Sequence, residues 1–328
     1  MIGELIATFA VLTFVVSNVL FRKTEHEASP IFINFFRTSM GTITFLIFSL
    51  LLNVFDKIFL LPFSLWIILF ISFQFGQVIG DTAYFNAQKD LGTTLALGVS
   101  MTFPLFTFIF SMLFLNREFE ISLLISLLFI SAGVIIIGRS KSKNNINRDP
   151  SIDALTGAKK KLLKEKLTLS SLRALIFGLI ASLSWAIGLI IIEFATLQID
   201  AELSLQEGLS SVVGNVIRFP FAASILTIMV GKENYSIKKK NQGESSPWRK
   251  SVKTWIYLII ASLIGTSLGA YVYTEAARVA GSTVMSLVAS ASPLFSLPLT
   301  YLINKEKISK IGFLGVMFTI IGVVFILI

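Results

Sequence analysis

The sequence predicts an all-α integral membrane protein with ten transmembrane helices, arranged as two inverted five-helix repeats. Three observations carry this. Apolar residues make up 54% of the 328-residue chain and charged residues only 14%, more apolar surface than a soluble domain can hide. Ten apolar runs reach the roughly 20 residues that a helix needs to cross a bilayer. One stretch is also written twice. Trp66–Phe106 returns without a gap as Trp255–Phe295, with about a third of the positions identical. Trp66 pairs with Trp255, Gly76 and Gly80 with Gly265 and Gly269, Tyr84 with Tyr273, Gly92 with Gly281, and Pro104-Leu-Phe106 with Pro293-Leu-Phe295. Self-similarity of this length fixes architecture before any local pattern does. Each half crosses an odd number of times, so the second sits inverted with respect to the first.

The expected spans are 3–21, 31–53, 64–86, 93–114 and 121–138 in the first repeat (1–138), and 171–194, 209–231, 254–276, 282–303 and 311–328 in the second (171–328). The first run has no basic segment before it and no small-residue cleavage site after it, so it reads as a retained span and not a signal peptide. Residues 139–170 form a basic linker. Its Lys159–Leu167 segment alternates leucines and lysines, which fits either a short helix lying on anionic lipid or a solvated connector. Most of the 28 Lys and Arg residues lie in the loops after the odd-numbered spans. The excess of basic residues on the cytoplasmic side of membrane proteins then places those loops inside and both termini outside a cell membrane.

Composition excludes several functions. There is no Cys, and the single His, His26, lies in a loop. Thiolate chemistry and Cys- or His-based metal centres are therefore excluded, and no cofactor is expected. The formal charge of +9 sits in loops flanking apolar spans, where it meets anionic lipid headgroups and not nucleic acid. No Gly-x4-Gly-Lys-Ser/Thr loop supports ATP drive.

Several residues now point to a family. Each half carries an Arg early in its second span, in Asn34-Phe-Phe-Arg37 and Asn215-Val-Ile-Arg218. A Tyr-containing third span, a Gly turn and a fourth span with a central Pro follow. After these come Asn116-Arg-Glu118 and Asn304-Lys-Glu306, then a fifth span with Gly133 or Gly322. The chain resembles the EamA-type members of the drug/metabolite transporter superfamily over nearly its whole length. The resemblance implies transport of small metabolites such as amino acids or related solutes, with export as the direction. It does not imply a substrate. The Trp-Gly common in that family's first span survives as Trp185-Ala in the second half, and Phe14 takes the place in the first.

The third span carries the candidate chemistry. Gln74, Gln77, Asp81, Tyr84 and Gln88 recur at spacings of three and four, one continuous stripe on an α-helix. A polar stripe at membrane depth faces protein or a water-filled cavity. In the second copy Gln74, Gln77 and Asp81 become Leu263, Thr266 and Ala270, while Tyr84 keeps its partner Tyr273. A site shared by both halves is therefore chemically asymmetric. Two readings of Asp81 stand open: a proton carrier with a raised pKa, or a structural ion pair with Arg37. Arg218 has Glu193 and Glu275 as candidate partners, making a structural anchor or a gate. Both arginines can instead attract a solute carboxylate or phosphate. Pro104 and Pro293 fall mid-span and mark helix kinks, flanked by Thr102, Ser290 and Ser292. Trp185, Tyr84 and Tyr273 can stack on a solute. Trp66, Trp248 and Trp255 read as interfacial belt residues.

Two inverted membrane repeats are the layout of a secondary transporter working by alternating access. Its partners are a small-molecule solute and membrane lipid; oligomeric state is not encoded legibly. The same fold also accommodates flipping of a lipid intermediate. No paired acids, His cluster or nucleophile elbow supports an enzyme.

Overall fold

A computed structural model describes residues 2–115, 125, 128–130, 132–137, 158–205, 208–240 and 248–325. The regular elements among them are helical throughout. In hydrocarbon each backbone N–H and C=O needs an internal partner, and a helix supplies it within one segment. Six helices are long and apolar enough to cross a membrane: Ile2–Arg22, Pro30–Leu51, Phe63–Leu91, Leu169–Leu203, Leu209–Ile237 and Val252–Ser290. The last runs through a break at Gly281. Shorter apolar helices cover Thr93–Thr107, Leu128–Ile137 and Lys310–Gly322.

The helices are numbered α1 (Ile2–Arg22), α2 (Pro30–Leu51), α3 (Phe63–Leu91), α4 (93–115), α5 (Leu128–Ile137), α6 (Ala158–Leu203), α7 (Leu209–Lys240), α8 (252–280), α9 (282–304) and α10 (Lys310–Val324). Their ends follow from local chemistry. Ser29 caps α2 by accepting the Phe32 N–H at 3.1 Å, with Pro30 in the first turn. Ser251 caps α8 through the Thr254 N–H at 3.3 Å. The turns from α3 to α4 and from α8 to α9 are made by Gly92 and Gly281, at φ +85° and +83°. Side chains rarely adopt that conformation, so glycine is required there.

Four interruptions matter for the site. A π-helical turn covers Gln74–Gly80 in α3, and another covers Leu263–Leu268 at the equivalent place in α8. Helix α4 breaks at Met101-Thr102 and α9 at Ala291. Pro104 and Pro293 lie in the first turn after these breaks, where the missing N–H leaves nothing unpaired.

Two connections differ from expectation. The 139–170 linker is helical from Ala158 and continuous with α6 as one 46-residue helix. No proline interrupts that stretch, and Leu and Lys favour helix. The loop expected at 232–253 is likewise helical as far as Lys240. Residues 116–118, with Glu118, lie outside the described residues.

Helix α1 packs along α8, α2 along α7, α3 along α6, and α4 against α9. Helices α1 to α4 of the first half thus pack mainly against the second. Leu46, Ile47, Phe48 and Leu50 of α2 point outward and exposed, as a lipid-facing surface requires. Trp248 and Trp255 stack at 6.3 Å over Phe32, at the end where α2 begins.

Candidate functional site

The middle of the helix bundle holds a cavity of about 110 Å³ walled by both halves. The first half contributes Phe14 of α1, Arg37 of α2 and Gln77 and Asp81 of α3; the second contributes Trp185 of α6, Arg218 of α7 and Ala270 and Tyr273 of α8. Most of the remaining wall is apolar, including Phe73, Met101, Phe103 and Met285.

One wall is a polar network in which Arg37 Nη1 is buried without a hydrogen-bond partner. The Arg37 guanidinium meets Asp81 at 3.3 Å and donates from Nε to Thr266 at 3.0 Å. Trp185 donates its indole N–H to the other Asp81 oxygen at 2.9 Å. Gln77 donates to Thr38 at 2.7 Å and to Asn34 at 3.3 Å. Asn34 in turn donates to the Gln77 carbonyl at 2.6 Å and to Thr82 at 2.9 Å. Asp81 is therefore engaged on both oxygens, by a cation and by a neutral donor from the opposite half.

The other wall is arranged differently. Arg218 is buried, donates from Nε to Asn215 at 2.8 Å and from Nη2 to Thr274 at 2.7 Å, and lies 4.5 Å from the centre of the Phe73 ring. The carboxylates expected beside it are committed elsewhere. Glu275 binds Arg278, three residues along the same helix, and accepts from Ser211 at 2.7 Å. Glu193 accepts the Ser282 backbone N–H at 2.8 Å and so caps α9. The physical reason is proximity: an i,i+3 cation and an orphan helix N–H are nearer than the Arg218 guanidinium.

Two ionic clusters lie at the helix ends, one on each side of the cavity. On the side of the α1–α2 loop, Arg22 contacts Glu25 and Glu306 and donates to the Gln88 and Lys89 carbonyls. Gln88 also donates to Glu25 at 2.8 Å, and Glu306 accepts the Thr93 N–H at 3.2 Å, just after the Gly92 turn. Burial pushes the Glu25 carboxyl up to about 6, against the pull of Arg22 and Gln88. On the opposite side Arg278 joins Glu275 and, at 2.9 Å, Asp200. Glu193 caps α9 there as Glu306 caps α4 here.

The remaining expected residues fall around the cavity and not in its wall. Tyr84 is fully buried, its ring 5.4 Å from Trp185 and 6.1 Å from Phe14. Gln88 belongs to the end cluster. Gln74 lies outside the cavity wall, its side-chain nitrogen buried without a hydrogen-bond partner. Thr102 bonds Ser182 at 2.8 Å across the α4 break, and Ser290 bonds the Leu287 carbonyl at 2.6 Å. Among the described residues no group of three or more His, Cys, Asp or Glu side chains could hold a metal ion. The sequence reading missed Phe14, Met101 and Met285 as wall residues, since apolar side chains carry no positional signal in an apolar span.

The EamA-like transporter family pattern matches residues 1–139 and 172–328. The chain belongs to the EamA-like transporter family. A relative from Archaeoglobus fulgidus, described as an uncharacterized transporter, is 23% identical over 329 residues, covering 100% of this chain and 98% of its own. A second so described, from Synechocystis, is 26% identical over 146 residues, 44% of this chain and 38% of its own. A solved crystal structure shares the fold at a TM-score of 0.60 and 14% identity, covering 99% of this chain and 96% of the other. This EamA-like protein is thus a multi-pass membrane transporter.

Proposed function

We propose that this EamA-like transporter is a secondary transporter of small metabolites, amino acids or related solutes among them, and that the central cavity is the solute path. The observation that carries the proposal is the position of that cavity. It lies at mid-helix depth, is walled by both halves, and is bracketed at either end by an ionic cluster. A transporter caught between its two open states needs that arrangement.

The helix pairing supports ten spans in two inverted repeats. Exchanging the halves turns α1–α8 into α6–α3 and returns α2–α7 to itself, as a two-fold axis in the membrane plane would. Alternating access then means breaking one cluster while the other holds. The Arg22–Glu25–Glu306 cluster gates the side of the basic loops, which the Lys and Arg distribution makes cytoplasmic, and the Arg278–Glu275–Asp200 cluster gates the outside, where both termini lie. The paired state of Asp81 favours a latch between halves over a free proton carrier. Export is the working direction, from family resemblance.

The test is solute flux in proteoliposomes, comparing wild type with Gln77→Leu, which removes a wall amide without adding charge. Flux of a water-soluble metabolite that falls at least tenfold in the variant supports the reading. Flux unchanged in Gln77→Leu rejects the cavity as the path. Flux of a lipid-linked compound alone would replace the solute with a lipid intermediate.

A further inference from the structure

We infer that the solute is a monoanion whose carboxylate is received by Arg218, with an apolar body lying against the aromatic side chains of the cavity wall. The inference rests on the reading of the cavity as the solute path.

The charge pattern of the cavity carries it. Three acidic or basic side chains line the space: Arg37, Asp81 and Arg218. Arg37 and Asp81 face each other at 3.3 Å and cancel. Arg218 is as deeply buried as Arg37, yet among the described residues the acceptors it donates to are the neutral Asn215 and Thr274. The ring of Phe73 offers only a weak electrostatic partner. A buried charge held by neutral groups is costly and persists where something else compensates it.

The internal repeat shows where that compensation belongs. Arg37 and Arg218 are equivalent, each three residues after an Asn. The position that supplies Asp81 to Arg37 supplies Ala270 to Arg218, and Ala270 lines the cavity with only a methyl group. The second half thus keeps the cation and lacks the anion. A carboxylate entering the cavity would complete in the second half the ion pair that Asp81 makes in the first. Guanidinium and carboxylate match in geometry as well as charge.

The same count sets the solute's charge. One uncompensated positive charge suits a monoanion better than a phosphate dianion. A free ammonium group would compete for Asp81, whose two oxygens already bind Arg37 and Trp185. Phe14, Phe73, Phe103 and Trp185 supply an apolar, aromatic surround for the rest of the molecule.

The experiment is thermal unfolding of the purified full chain with three probes that share one aryl body: phenylacetate, phenylacetamide and phenethylamine. A ligand raises the melting temperature only through binding to the folded state. Phenylacetate is expected to raise it and the amide and amine to leave it unchanged. Ala270→Asp, which builds the counter-ion into the protein, is expected to melt higher than wild type without ligand and to lose the phenylacetate response. Should that variant not fold, Arg218→Met gives the same loss of response, with a melting temperature no lower than wild type. An equal response to the amide or amine, a response retained in both variants, or no response of wild type to phenylacetate overturns the assignment. Metabolite flux that depends on Gln77 would leave the transporter reading standing in each of those cases.

Discussion

Trp185 donates its indole N–H to Asp81 at 2.9 Å, tying the two halves of the transporter together at the cavity wall. Together with Arg37 at 3.3 Å it satisfies both oxygens of a carboxylate that is almost wholly out of solvent. Breaking one side of a buried ion pair strands the other charge, at a cost on the order of 3–5 kcal/mol. Asp81→Asn should therefore lower stability by that amount as well as flux. Replacing both partners, as in Arg37→Met with Asp81→Leu, should recover much of the lost stability. Denaturant unfolding in detergent checks this, and a double variant no more stable than Asp81→Asn would show that the pair is not coupled.

The two glycine turns should tolerate no side chain. Gly92→Ala and Gly281→Ala each force an L-residue into positive φ, costing roughly 1–2 kcal/mol. Gly92→Ala should cost more, because its methyl would lie 3.0 Å from a Glu306 oxygen, against 3.3 Å from Glu193 at Gly281. The melting temperatures of the two variants, ranked against wild type, test the order as well as the size.

Helices α3 and α6 touch backbone to backbone. A methyl on Gly188 would meet Gly76 Cα and N and the Ser72 carbonyl, each at 3.0 Å. None of these is a flexible side-chain end, so Gly188→Ala must part the helices. It should destabilise by about 1–3 kcal/mol and impair flux. Gly231→Ala in α7, where a methyl meets nothing within 4 Å, should be neutral in both assays.

Acidity should stabilise the folded state through Glu25 at the α1–α2 loop. Glu25 has a folded pKa of about 6 against an ordinary 4.5, so between those values the native state holds a proton that the unfolded chain has lost. Its contribution to stability is full below about pH 4.5 and is lost as pH rises through about 6, on the order of 2 kcal/mol. Glu25→Gln should flatten that part of the stability profile. Melting temperature measured from pH 4 to 7 decides it, and equal slopes in variant and wild type would remove Glu25 as the cause.

Much of this molecule can be read from its residues, and what cannot has identifiable causes. The apolar runs, the repeat and the Gly92 and Gly281 turns are local or periodic signals, and the helices and their breaks follow them. The polar stripe of α3 is legible only in part, because its arithmetic assumes 3.6 residues per turn. A π turn carries one residue more, which rotates what lies beyond it by roughly 100°. Gln77 and Asp81 line the cavity and Gln74 does not. The Trp185–Asp81 bond joins residues 104 apart, and no spacing rule reaches across two repeats. The engagement of Glu275 by Arg278 was legible, as an i,i+3 pair of opposite charge. It removes Glu275 from the reach of Arg218.

The π turns at Gln74–Gly80 and Leu263–Leu268 fall at matching places in the two halves. An extra residue gained by one copy alone would force a gap between the copies, and Trp66–Phe106 aligns with Trp255–Phe295 without one. Both copies therefore hold the widened turn at one shared position, and the two helices differ there in chemistry, Asp81 against Ala270, and not in backbone path.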